Sequence, residues 1–295
     1  MTAPLTFPSP LLPRSSRAQQ QNRLALVHLE RLRALNDEAT ELATSTSTAL
    51  MAARKGKRLV AMLEFEEAKD KVMAELKKLE TVAQTAAPVL QTRIIEVPVL
   101  YNDPWTHETL MRFRERHQDP TSTDIEYTAR INNLDGVDGF VKAHSGAPWF
   151  VSMVGFVAGL PFLYQMVDRS RQIQSPKYLR PRTDTPRLTV GHGGCFGCIY
   201  SVRGAGGYQM FGITPMPIYD PNQTTSYLRD FMCLFKPGDI VKWKPVTRDQ
   251  YDAAIEAVDE NRFEPVIRPA SFSLTEFNKD MAGTNAKLME ALNGR

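Results

Sequence analysis

Cysteine is scarce: Cys195, Cys198 and Cys233 are the only three in 295 residues. That count excludes a disulfide framework and points to a reducing compartment. Long apolar runs are also missing. The longest, around 150–165, is broken by Ser152, Gly155 and Gly159, so it reads as core and not as a membrane span. Charge of one sign is lacking, with 36 Lys and Arg against 33 Asp and Glu. No basic cluster suggests a nucleic-acid groove, so neither nucleic acid nor membrane is expected as a partner. There is no P-loop, no HExxH, no Ser/His/Asp signature and no internal repeat. No acidic residue precedes Glu30, and MTAPLTFPSPLLPRSS carries four prolines. That composition fits a transit peptide or a flexible tail over 1–17, with the cytoplasm as the default location.

What is present divides along the chain. Residues 18–91 read as a helical arm. Leu26, Leu29, Leu32, Leu35, Ala39 and Leu42 form one helical stripe. Met62, Phe65, Val72, Leu76, Leu79 and Ala83 form a second after the TSTSTAL break. Two such helices suggest a hairpin, which must bury its stripes on its own domain or on another subunit.

The texture changes from Thr92. RIIEVPVLY reads as a strand, HETLMRFRERHQ as an amphipathic helix, and WFVSMVGFV as a buried strand ending in glycine. Short strands and Gly/Pro turns from 188 onward suggest a β-barrel or sandwich. In the 247–295 extension, Thr247 with Gln250 three residues later has capping-box spacing, so a helix starts there.

Four groupings have residue types suited to chemistry. His192, Cys195 and Cys198 give H-x-x-C-x-x-C, a zinc half-site by spacing. A zinc site needs a fourth ligand, and Cys233 sits alone in an apolar segment; the other reading is small buried thiols beside a tight turn. The glycines of RGAGGYQ, 203–209, can bring backbone amides to an anion, but the strand-like YQMFG after them rules out a dinucleotide fingerprint. Arg180, Arg182 and Arg187 lie together in LRPRTDTPR and offer guanidinium forks for oxyanions, or a solvated loop. His144, just before a buried strand, is either a general base or a hydrogen-bonded structural histidine.

The order of these pieces is more informative than any one of them. VPVLY, AHSGAPWFVSMVGFVAGLPFLYQM, PRTDTPR, IYSVRGAGGYQMFGITPMPIYDP and LFKPGDIVKWKPV follow one another over about 94–246. This succession resembles the KipI-like family: the B component of 5-oxoprolinase, the first component of allophanate hydrolase and the matching half of the urea carboxylase carboxyltransferase domain. The segment TRDQYDAAIEAVDENRFEPVIRPASFSLTEFNKDM resembles the C-terminal extension of the urea carboxylase type.

The resemblance implies an α+β fold, with a small α/β domain over about 92–180 and a cyclophilin-like β-barrel over about 181–246 after the helical arm. It implies a subunit of a biotin-dependent carboxyltransferase acting on a small amide- or ketone-like acceptor. A KipA-like homologous subunit would share the active site. Biotin would ride on a separate carrier or biotin carboxylase subunit, and the complex would use ATP. The alternatives are one component of an ATP-dependent lactam hydrolase of the 5-oxoprolinase type and a non-catalytic scaffold.

Matched by position, His144 would serve as base, and Arg182 or Arg187 would hold the carboxylate. Phe156, Gly159, Thr185, Gly206, Gly207, Tyr208 and Gln209 would bind substrate. The sequence departs from the family at Ala158, Leu160, Phe162, Ala205 and Tyr208. It departs most in VGHGGCFGCIY, which is shorter than the family's loop and points to a changed specificity.

Overall fold

The computed structural model describes residues 58–86 and 89–294. The chain divides into two compact units, 1–90 with 273–275 and 91–272 with 276–295.

In the first unit, helix α1 spans Arg58–Ala86. It contains the second expected stripe, and its Phe65, Met73 and Leu76 are exposed. The first stripe and the tail lie outside the described residues.

The second unit is a mixed α/β structure built on one large sheet. Strand β1, Val89–Tyr101, is followed by helices α2 (Pro104–Arg112), α3 (Asp124–Ile131) and α4 (Gly136–Ser145). Strands β2 (Trp149–Val154), β3 (Pro161–Gln165), β4 (Arg182–Thr185), β5 (Thr189–Gly193), β6 (Phe196–Ile199), β7 (Gly204–Gly206), β8 (Gln209–Ile213) and β9 (Ile240–Pro245) come next. Helix α5 (Arg248–Asp259), strand β10 (Ile267–Ser273) and helices α6 (Leu274–Lys279) and α7 (Met281–Leu292) complete the order.

The strand order is β10-β1-β8-β5-β6-β3-β2-β9, and β1 also pairs with β9 in parallel. That last pairing closes the hydrogen-bonded strands into a ring. β4 and β7 form a separate small ladder. The expected cyclophilin-like barrel confined to 181–246 is not what forms. β5 and β6 are flanked by β8 and β3, and β8 in turn by β1, so the sheet also takes in β1, β2 and β3 from before position 181.

The alternation of RIIEVPVLY explains its place. Ile95, Val97 and Val99 point one way and are fully buried with Trp149, Leu163, Val190, Ile199 and Trp243. Ile94 points the other way, under α7, where it meets Phe272, Leu288 and Leu292. Caps fix the helix starts. Thr123 and Glu126 make a full capping box on α3, and Thr247 and Gln250 make the one that their spacing predicts on α5.

Candidate functional site

The stretch that read as a cysteine-bearing loop is a hairpin. Gly191, His192 and Gly193 of β5 pair with Cys198, Gly197 and Phe196 of β6. Side chains alternate along a strand, so this register sends His192 and Cys198 to opposite faces of the sheet. His192 joins the core, with its ring against Trp149 and Phe211 and its Nε2 3.0 Å from the Ile173 carbonyl. Burial holds its pKa down at about 4. Cys198 faces the other way, beside Leu160 and Tyr200. The expected zinc set of His192, Cys195 and Cys198 therefore does not converge. Among the described residues no group of three or more His, Cys, Asp or Glu is placed to hold a metal.

The face that Cys198 occupies bounds a cavity of about 370 Å³. Phe162, opposite Cys198 across the β3–β6 ladder, forms its floor with Leu160 and Tyr200. Tyr208 and Phe156 form apolar walls, and Pro181, Ala205, Gly206, Gly207 and Lys177 complete the lining. Glycine is required twice in placing these rings. A Cβ on Gly193 would sit 2.3 Å from the Tyr208 ring, and one on Gly206 would sit 2.4 Å from the Tyr200 hydroxyl. The Tyr208 backbone N–H donates to that same hydroxyl at 3.3 Å.

The chemistry of the lining is one-sided. Burial pushes the Cys198 thiol and the Tyr200 phenol up, and burial, then Cys198 and Cys195, push Tyr208 up to about 12. These groups stay neutral near pH 7. The Lys177 amine lies 5.2 Å from the centre of the Tyr208 ring. No carboxylate and no histidine lines the cavity among the described residues.

Arg182 stands directly behind the glycine wall, since it is Gly206's partner across the β4–β7 ladder. It is fully buried. Its Nε donates to Thr185 Oγ1 at 3.3 Å, and its guanidinium lies 4.3 Å over the Tyr178 ring. Both terminal nitrogens lack a hydrogen-bond partner among the described residues. Its charge reaches Cys198 and Tyr200 in the cavity wall, opposing the upward shift of each.

A second network, which no sequence spacing signals, lies beneath. Asp124 accepts from the Tyr178 hydroxyl at 2.8 Å and from the Met210 backbone N–H at 2.5 Å. Burial raises its pKa against those bonds and the nearby His117 and Arg182. His117 Nε2 is 2.9 Å from Gln209 Oε1, while the Gln209 amide donates to Gln118 and Pro176.

The sequence-derived site thus separates into parts. Phe156, Gly206, Gly207 and Tyr208 meet in the cavity wall. Phe156 holds a left-handed φ of 68° and is 73% exposed. Gly159, at φ 75°, is pressed against Tyr219. Gln209 and Thr185 are fully buried and already bonded, so neither faces the cavity. Arg187 donates to the carbonyls of Ser201 (3.3 Å) and Tyr219 (2.9 Å), clipping two loops together. His144 is fully buried in the last turn of α4, and its ring packs on Phe140, Trp149, Phe211 and Trp243. Burial, and then the charges of His192 and Lys242, hold its pKa well below the ordinary value. Enclosed in this way, it does not reach the cavity as the expected base.

Comparison with known proteins adds the lineage. Residues 14–229 match the family model described as carboxyltransferase domain, subdomain C and D. The urea amidolyase of Lachancea kluyveri is 27% identical over 214 residues, covering 67% of this chain and 12% of that protein. The B component of the Bacillus subtilis (strain 168) 5-oxoprolinase is 29% identical over 161 residues, covering 55% of this chain and 56% of that protein. The crystal structure of Kluyveromyces lactis urea carboxylase superposes with a TM-score of 0.58 at 25% identity, over 74% of this chain and 20% of that one. The chain therefore spans about half of one curated relative and a small part of the other.

Proposed function

The chain belongs to the carboxyltransferase family of subdomains C and D, and on that footing we propose that it is the acceptor-binding half of a biotin-dependent, urea-carboxylase-like carboxyltransferase. The observation that carries this reading is the cavity itself. Its wall includes Gly206 and Gly207, the glycines matched by position to the family's turn, a buried guanidinium stands behind them, and no general base lines it among the described residues. Such a half-site can bind an acceptor and stabilise negative charge, through Arg182 and the backbone of the glycine turn. Among the described residues it offers no group to take the acceptor's proton at neutral pH.

The base would come from a KipA-like homologous subunit closing over the cavity mouth. Biotin would arrive on a carrier or biotin carboxylase subunit, where ATP is consumed. The closed strand ring would be the counterpart of the family's cyclophilin-like barrel. The test is purification of the native complex, followed by avidin blotting and an assay of ATP-dependent carboxyl transfer. An avidin-reactive subunit and biotin-dependent turnover are expected; a complete, active complex with no biotin would overturn the proposal.

A second reading is one component of an ATP-dependent lactam hydrolase. It is favoured by the larger share of the 5-oxoprolinase B component that the chain covers, 56% against 12% of the urea amidolyase. It predicts 5-oxoproline-dependent ATP hydrolysis by the complex without biotin. A third, a non-catalytic scaffold, is favoured by the enclosure of His144. It predicts that substituting Arg182 leaves turnover of the complex unchanged.

A further inference from the structure

The cavity is larger and less polar than a site for urea requires. At about 370 Å³ it falls within the range of about 300–1,000 Å³ typical of small-molecule sites. Urea would leave most of it empty, and would meet rings where it needs hydrogen-bond partners. Leu160, Phe162 and Tyr208 present an apolar chamber, and the exposed Phe156 ring stands at its edge. A non-glycine residue held at φ 68° is strained, and an aromatic ring left in water by that strain gains from a ligand that covers it.

The charge of the site has one sign. Lys177 is at the lining, Arg182 lies behind Gly206 with two unpartnered nitrogens, and no acid among the described residues faces either from within the cavity. Buried guanidinium nitrogens without hydrogen-bond partners are costly, and an anion beside the Gly206 turn would offset that cost beyond what the nearby Asp124 supplies.

We propose that the cavity takes a small amphipathic carboxylate, whose apolar body lies among Phe156, Leu160, Phe162 and Tyr208 and whose carboxylate turns towards Lys177 and the Gly206 turn. This deepens the acceptor-site reading, on which it rests, by naming the class of acceptor. The departures from the family pattern at Leu160, Phe162 and Tyr208 fall on the walls that would contact the apolar body.

The test is a ligand-observed NMR titration of the full chain with phenylacetate, acetate, urea and 5-oxoproline. Because it reads binding alone, it does not depend on biotin or a partner. Phenylacetate is expected to bind at least tenfold more tightly than any of the other three. Phe156→Ser, an exposed change that leaves the core intact, is expected to weaken phenylacetate about three- to tenfold, as loss of an aromatic contact does. Phenylacetamide, which keeps the ring and lacks the charge, is expected to bind at least fivefold more weakly than phenylacetate. Binding of urea or 5-oxoproline without phenylacetate would overturn this inference and leave the acceptor-site reading standing. Equal binding of phenylacetate and phenylacetamide, or no response to any probe, would also overturn it. Phenylacetate binding in a chain whose native complex transfers no carboxyl group would sink the carboxyltransferase reading alone.

Discussion

The Tyr101 hydroxyl and His144 Nδ1 are hydrogen-bonded at 2.7 Å inside the sheet, where burial holds the tyrosine's pKa well up and the histidine's well down. Both side chains are therefore kept neutral. His144 Nε2 has no partner among the described residues.

Acid stability follows from this pair and from His192. Both histidines stay neutral in the folded chain, His192 down to about pH 4. In the unfolded chain each takes a proton below about pH 6.5. The unfolded state then binds more protons, so stability is full above about 6.5 and declines as pH falls below it. Each histidine adds a slope of about 1.4 kcal/mol per pH unit. Urea midpoints measured from pH 7.5 to 4.5 are expected to fall, and His192→Gln is expected to reduce that slope; a flat profile would contradict the neutral burial of both rings.

Gly206 and Gly207 are neighbours with different tolerances. A methyl on Gly206 would collide with Tyr200, whereas on Gly207 its nearest contacts lie at 3.9 Å. Gly206→Ala is expected to cost about 1–3 kcal/mol by overpacking, while Gly207→Ala unfolds like the parent. Equal midpoints for the two would remove the steric argument for the turn.

Arg182→Met separates stability from binding. It removes a buried charge whose two terminal nitrogens are unpartnered among the described residues, while keeping a long side chain over Tyr178. Thermal midpoint is expected to hold or rise by a few degrees, while turnover of the native complex falls at least tenfold. A drop of many degrees would instead mark Arg182 as a structural residue.

Tyr178→Phe tests the network beneath. The change removes the hydroxyl that donates to the buried Asp124 carboxyl at 2.8 Å. A loss of about 1–3 kcal/mol is expected, because an acceptor is left unsatisfied in the interior. Denaturant melts that match the parent would mean that Met210 N–H and His117 suffice.

Much of the strand and helix pattern was legible in the chain, for local reasons. Ile95, Val97 and Val99 alternate as a half-buried strand must, and Thr247 with Gln250 states its own helix start. Gly206, Gly207 and Tyr208, adjacent in the chain, also lie together in one cavity wall. Facing was not legible. His192 and Cys198 look adjacent by spacing, and only the β5–β6 register shows that the sheet stands between them. Enclosure was not legible either. His144 sits where a catalytic base would, but four aromatic rings from distant segments surround it. Asp124, Tyr178 and Met210 come together through tertiary packing that no local spacing encodes.

The parallel pairing of β1 with β9 has a consequence during synthesis. Contacts across this seam, such as Arg93 with Asp239, join residues 146 positions apart. At about 5–20 residues per second, β1 would leave the ribosome about 7–30 seconds before β9. Until then Ile95, Val97 and Val99 lack the cover of Val241 and Trp243, and the edge of β1 that pairs with β9 stays open. The nascent chain is thus most vulnerable to aggregation in that interval, and this is when a chaperone would be needed most.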